Sequence, residues 1–205
     1  MKRSRMRRRN FWAGSILCLL SLWGVGTLLT SCTSDDDTYS SMHLGIYINN
    51  ATHQDATLAS AMNAASPGVF CLIKYNASKK AFAFSSNQGL SSTSAMTAIE
   101  QQQGFSTRIG LNNGLIVGYG NLSTDVSGGY TFYAYDAQCP NCFDYNAIPM
   151  KSYPLTMNSA GMATCSNCKR QYNMNTGGNC TNNSGKGMTR YRCSTTGALG
   201  YLVVN

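Results

Sequence analysis

Two Cys-x-x-Cys turns constrain this chain more than anything else in it. Cys139-Pro140-Asn141-Cys142 and Cys165-Ser166-Asn167-Cys168 are separated by residues 143–164. Each turn places two sulfurs on one tight loop with backbone N–H groups aimed at them. Two such turns face to face make a tetrahedral four-thiolate site. Thiolates suit zinc, a single iron or an iron–sulfur cluster, so Cys139, Cys142, Cys165 and Cys168 are candidate metal ligands. Oxidised to disulfides within or between the turns, the same four would hold no cofactor.

The beginning of the chain has a different character. Residues 2–9 carry six lysines and arginines and no acid, residues 11–29 are apolar or small, and Leu29-Thr30-Ser31-Cys32 follows. A basic start, an apolar stretch and small residues before a cleavage point read as a signal peptide over residues 1–31. The cysteine directly after Leu-Thr-Ser resembles a bacterial lipoprotein signal. That resemblance implies cleavage before Cys32, a diacylglycerol on its sulfur and an acyl chain such as palmitate on its amine. A transmembrane anchor is the alternative reading of the apolar run. Asp35-Asp36-Asp37 resembles the surface-export signal of Bacteroidetes lipoproteins and suits a solvated tether equally well. Arg8-Arg9-Asn10-Phe11-Trp12 resembles a twin-arginine export signal. The expected location is the cell envelope, with the membrane as partner through Cys32, at the outer rather than the inner membrane.

The formal charge of +8 belongs mostly to this leader. Six of the 16 basic residues lie in residues 2–9, leaving ten against eight acidic residues beyond them. No dense basic stripe remains, which excludes nucleic acid as the expected partner. Of nine cysteines, Cys18 leaves with the leader and Cys32 takes the lipid. The seven others fit four metal ligands, a Cys180–Cys193 disulfide and one buried thiol at Cys71. They fit three disulfides and a free thiol as well.

Residues 32–41 read as the lipidated cysteine and a disordered polar tether. Beyond it the pattern is β. Strands are expected at 44–48, 69–75, 81–84, 115–119, 130–135 and 199–204, with a hairpin across 76–80 and a turn between strands at 111–115 carrying Asn113-Gly114. Two short helices are expected at 57–65 and 94–103. Many short strands separated by turns argue for an all-β antiparallel sandwich or small barrel. His43 and His53 are the only histidines, both far from the knuckles, and no acid, base or nucleophile constellation is recognisable. An enzyme is therefore not the expected reading. A thiol–disulfide role for the first knuckle would need a low-pKa thiolate at a helix N-terminus, and no helix is evident there.

The residues around the knuckles carry a resemblance. Tyr133-Ala134-Tyr135-Asp136-Ala137-Gln138-Cys139-Pro140 is similar to the strand entering the first cluster loop of a Rieske domain. Cys165-Ser166-Asn167-Cys168 stands where that family has Cys-x-x-His, and Tyr172, Asn173, Thr176 and Gly177 fall on its following aromatic, Asp, Thr and Gly positions. Residues 185–191 and 202–205 resemble later segments of the family. Both cluster histidines are replaced: Asn141 stands at the first, with Cys142 next to it, and Cys168 at the second. The whole resembles a Rieske-like lipoprotein of the Bacteroidetes in a four-cysteine variant. The resemblance implies a Rieske-like antiparallel β-sandwich over 110–205, with a rubredoxin- or zinc-ribbon-like knuckle subdomain at 137–178 and Tyr172 bonding a ligand sulfur. Residues 42–109, which it does not cover, would add strands or form a second β-rich lobe. The quinol oxidation and dioxygenase feeding of that family depend on the missing histidines.

The expected function is a membrane-anchored, four-cysteine metal protein, holding zinc or iron (a [2Fe–2S] cluster included) for structure or for passing single electrons to a redox partner. The alternative is a non-catalytic envelope interaction module whose cysteines are structural disulfides, docking an envelope protein or glycan through its tyrosines.

Overall fold

The structure is a computed structural model that describes residues 38–102, 109–123 and 128–205. The leader, Cys32 and most of the tether lie outside the described residues. Short apolar runs set the architecture. In chain order the elements are β1 (Ile46–Asn49), α1 (Asn50–His53), α2 (Ala56–Ala61), β2 (Phe70–Asn76), β3 (Ala81–Ser86), β4 (Ser91–Ala95), α3 (Ala98–Gln102), β5 (Leu115–Ser123), β6 (Tyr130–Asp136), β7 (Leu155–Met157), β8 (Met162–Cys165), β9 (Gln171–Asn173), β10 (Asn179–Cys180), β11 (Arg190–Tyr191), β12 (Cys193–Thr195) and β13 (Tyr201–Val204). They make three antiparallel sheets, ordered β1-β13-β12, β11-β6-β5-β2-β3-β4 and β10-β9-β8-β7. The fold is thus predominantly β with a small clustered four-cysteine site.

The six-stranded sheet is buried on both faces, because its central strands are apolar at successive positions rather than alternate ones. Cys71, Ile73, Leu115, Val117 and Ala134 face a core shared with Leu58 and Met62 of α2 and with Ile48, Leu202 and Val204 of the three-stranded sheet. Phe70, Ile116, Tyr133 and Tyr135 face a second core with Leu155, Ala163 and Tyr172 of the knuckle sheet and with Met174 just after it. The period-2 side-chain rule sorts neighbours such as Ile116 and Val117 into different cores. Cys71 is a fully buried thiol, as its apolar strand implies.

The described residues of 42–109 do not form a separate lobe. β1 pairs with β13, and β2 pairs with β5, so the three-stranded and six-stranded sheets each need strands from both halves. Residues Ser34–Asn205 form one compact unit.

Three local expectations are corrected. The helix expected at 94–103 begins only at Ala98, since Ser94 and Ala95 end β4, paired with Phe82 and Ala81. Ladder bonds to β3 outcompete the helix preference of two small residues. Thr97 and Glu100 then form a reciprocal cap: the Thr97 N–H donates to Glu100 Oε2 (2.8 Å) and the Glu100 N–H to Thr97 Oγ1 (3.3 Å). The first helix stops at Ala61 instead of 65. The Asn113 turn leads into β5 but no described strand precedes it. Its amide instead brackets Tyr75, accepting from the Tyr75 N–H (2.8 Å) and donating to its carbonyl (2.9 Å).

Candidate metal centre

Each knuckle hangs from a strand end fixed by buried polar groups. β6 ends at Asp136, which is fully buried. Its carboxylate accepts from the N–H of Leu111 (2.6 Å), the N–H of Gln138 (2.7 Å) and the Tyr191 hydroxyl (2.8 Å). Burial, acting against these bonds, holds the carboxyl above its ordinary range. Gln138 is buried as well, and its Oε1 accepts from the Tyr153 N–H (2.6 Å). The segment leaving β6 is thereby zipped to the one entering β7, with the Cys139 N–H donating to the Tyr153 carbonyl (2.9 Å) and Leu155 N–H to Ala137 (2.7 Å). The second knuckle joins β8 to β9. The two turns close alike: the Phe143 N–H donates to the Cys139 carbonyl (2.9 Å) and the Lys169 N–H to the Cys165 carbonyl (3.0 Å). Lys169 adopts a left-handed φ of 59°, and this lets the chain turn back into β9.

The packing of the knuckle sheet brings the four candidate ligands together. All four Sγ atoms lie within 4.8 Å of one another. Cys139 and Cys168 are 3.7 Å apart, and Cys142 and Cys165 3.9 Å. Metal–sulfur bonds of about 2.3 Å in a tetrahedron put the sulfurs about 3.8 Å apart, so these spacings fit one tetrahedral ion. Cys139 and Cys165 are buried, Cys142 and Cys168 half-buried, so the cluster has an inner edge in the second core and an outer edge toward solvent. A shallow depression lined by Cys142, Ala147, Ile148, Pro149 and Tyr153 opens at that outer edge.

Donors surround the sulfurs. Backbone N–H groups of Asn141 and Arg170 reach Cys139 and Cys168. Asn167 Nδ2 donates across to Cys142 Sγ (3.3 Å). Tyr172, fully buried, has its hydroxyl 3.3 Å from Cys139 Sγ. The direction of that bond can be deduced. Asn141 Oδ1 accepts from the Lys186 N–H (3.0 Å) while its Nδ2 donates to the Lys186 carbonyl (2.8 Å), which fixes the amide orientation. The same Nδ2 donates to Tyr172 Oη (2.9 Å), leaving the phenol proton for the sulfur. Asn141 is therefore a brace between the knuckle and residue 186. Cys142, next to it, supplies the thiol.

The thiols are electrostatically unequal. Burial pushes Cys139 up to about 12. Burial acts upward on Cys168 too, but the Arg170 N–H and guanidinium, with help from neighbouring thiols, bring it down to about 6. Binding a metal requires the remaining protons to leave, so metal retention weakens as pH falls. Replacing Tyr172 by Phe removes one donor to sulfur and one of the two acceptors of Asn141 Nδ2. The expected loss is about 0.5–1.5 kcal/mol in denaturant unfolding with metal stoichiometry unchanged; with iron bound, the potential falls.

Other sequence expectations fare differently. Cys180 and Cys193 are not brought together. Cys180 packs against the knuckle-side core and Cys193 against the other, where its thiol donates to the Phe132 carbonyl (3.5 Å). No helix begins at the first knuckle, so Cys139 lacks the setting of a reactive thiolate. Among the described residues no helix is long and apolar enough to cross a membrane.

One constellation was missed. His53 Nδ1 lies 2.7 Å from Ser94 Oγ and Nε2 2.8 Å from Glu100 Oε1, the connectivity of a serine–histidine–carboxylate triad. The side chains of His53 and Glu100 are 1% and 3% exposed and Ser94 is half-buried, so this group fastens α1 to β4 and α3. The Thr97-Ala98-Ile99-Glu100 capping signature was the signal available in the sequence. Burial acts upward on Glu100, but bonds from His53 and Thr97 outweigh it and hold the carboxyl below its ordinary value. Its contribution to stability is present above the unfolded pKa of about 4.3 and is lost as pH falls through the lower folded value. Unfolding midpoints measured from neutral to acid pH should show this loss in the wild type and a flatter profile in Glu100→Gln. Parallel profiles would refute it.

Comparison with protein-family models, with curated proteins and with solved structures finds no match to this chain.

Proposed function

We propose that this chain is a lipid-anchored, Rieske-like protein of the cell envelope that holds one zinc or iron ion on Cys139, Cys142, Cys165 and Cys168. The observation that carries the reading is that all four sulfurs lie within 4.8 Å of one another. A two-iron cluster divides its four thiolates, two to each iron, and the iron–iron spacing then separates the two pairs; the compact set here suits one ion. Three antiparallel sheets, with the first knuckle between β6 and β7 and the second between β8 and β9 of the four-stranded sheet, support the Rieske-like part of the reading. So does Tyr172, which meets a ligand sulfur as the resemblance implies. Cys32 supplies the anchor. With zinc the site is a redox-silent fastening; with iron, the half-buried Cys142 and Cys168 form the edge through which a single electron passes to a partner.

The test is to purify Ser34–Asn205 and measure metal content, visible spectrum and free thiols on one sample. One zinc or one iron per chain is expected, with thiolate-to-metal charge-transfer bands in the case of iron. Two irons with sulfide would overturn the single-ion assignment, and a metal-free protein with oxidised knuckle cysteines would overturn the metal reading itself.

A further inference from the structure

The two edges of the six-stranded sheet are unlike. One ends in β11, two residues long and carrying Arg190. The other is β4, Ser91-Ser92-Thr93-Ser94-Ala95, bonded only to β3 among the described strands. The β3–β4 ladder can be phased from its ends: the Met96 N–H donates to the Lys80 carbonyl (3.0 Å) and the Ser86 N–H to the Leu90 carbonyl (2.7 Å). The register runs unbroken between them, with Thr93 opposite Ala83. Antiparallel alternation then turns the N–H and C=O groups of Ser91, Thr93 and Ala95 away from β3. All three residues are exposed.

Natural sheets blunt such an edge with charge, proline, a bulge or a covering element. β4 has no charge, proline or bulge, and no Lys, Arg, Asp or Glu occurs anywhere in residues 81–99. Large apolar side chains stand exposed at both of its ends, Leu90 at 55% and Ile99 at 66%.

We propose that β4 is a pairing edge for a second copy of this chain, the two β4 strands running antiparallel about a two-fold axis at Thr93. Pairing about Thr93 makes this edge complementary to itself, with an exposed apolar residue at each end to meet the one at the other. Ser91 of one copy meets Ala95 of the other, Thr93 meets Thr93, and every outward N–H and C=O finds a partner. Threonine pairs favourably with threonine across strands. The same register sets Leu90 opposite Met96 of the second copy, beside the start of its α3 and Ile99, so the exposed apolar residues close both ends of the ladder. With no charge along the edge, two identical surfaces meet without repulsion. The interface is isologous and closed, joining two six-stranded sheets into one.

Sedimentation of Ser34–Asn205 over a range of concentrations tests this. The wild type is expected to show a reversible monomer–dimer equilibrium with a Kd in the micromolar range. Thr93→Lys and Thr93→Asp each place like charges on the axis and should weaken the dimer by about tenfold or more. An equimolar mixture of the two variants should restore it as a heterodimer. The Thr93 side chain is exposed and its N–H lies outside the β3 ladder, so unfolding midpoints should stay at the wild-type value and separate lost pairing from lost folding. A wild type that stays monomeric would overturn the proposal. So would a Thr93→Lys variant that dimerises as tightly as the wild type, or a mixture that fails to reassociate.

Discussion

Cys165→Ser is expected to lose stoichiometric metal and to unfold well below the wild type. Cys165 is fully buried at the end of β8, where its sulfur closes the inner edge of the cluster. Structural four-ligand sites contribute apparent binding free energies of about 10–16 kcal/mol in small zinc domains at neutral pH. Even a fraction of that, forfeited with one ligand, should lower the melting temperature by about 10 °C or more in a unit of this size. Cys71→Ala provides the contrast. It removes an equally buried thiol from the opposite core, and should keep one metal per chain while losing only about 1–2 kcal/mol. Chelator sharpens the comparison: it should destabilise the wild type and Cys71→Ala, but have no further effect on Cys165→Ser. One metal per chain retained by Cys165→Ser would sink the four-cysteine assignment.

Asp136→Ala is expected to cost about 3–5 kcal/mol, although the residue binds no metal. Two backbone N–H groups and the Tyr191 hydroxyl converge on its carboxylate in a fully buried position. Removing it leaves these donors without partners, and each orphaned donor costs about 1–3 kcal/mol. One of them, the Gln138 N–H, belongs to the segment that carries Cys139, so the first knuckle should loosen and metal should leave at lower chelator concentration. Asp144 flanks the same knuckle on its other side but is exposed. Asp144→Ala should stay within about 0.5 kcal/mol of the wild type. Denaturant midpoints of the two variants make the comparison, and equal effects would show that Asp136 does not anchor the knuckle.

The legible parts of the sequence were those set by short-range chemistry. Apolar runs at 69–75 and 115–119 became β2 and β5 because a strand buried on both faces needs apolar side chains at successive positions. Cys-x-x-Cys closes on itself through one local hydrogen bond, so each knuckle could be read from four residues. Tyr172 could be placed against a sulfur only by resemblance, and the proton it donates could be assigned only once Asn141 was seen to pair with Lys186.

What stayed hidden depended on partners distant in the chain. The sequence by itself determined the β class, the two knuckles and the composition of the site, since these rest on side-chain alternation and on turns closed within a few residues. Tertiary structure alone decided that both knuckles converge on one point and that Cys180 and Cys193 belong to different cores. It also decided that residues 42–109 complete the sheets of residues 110–205, and that His53, Ser94 and Glu100 meet. Each of these outcomes is a choice of strand order across long loops, made by which apolar faces can be buried together. No local pattern in the chain encodes that choice.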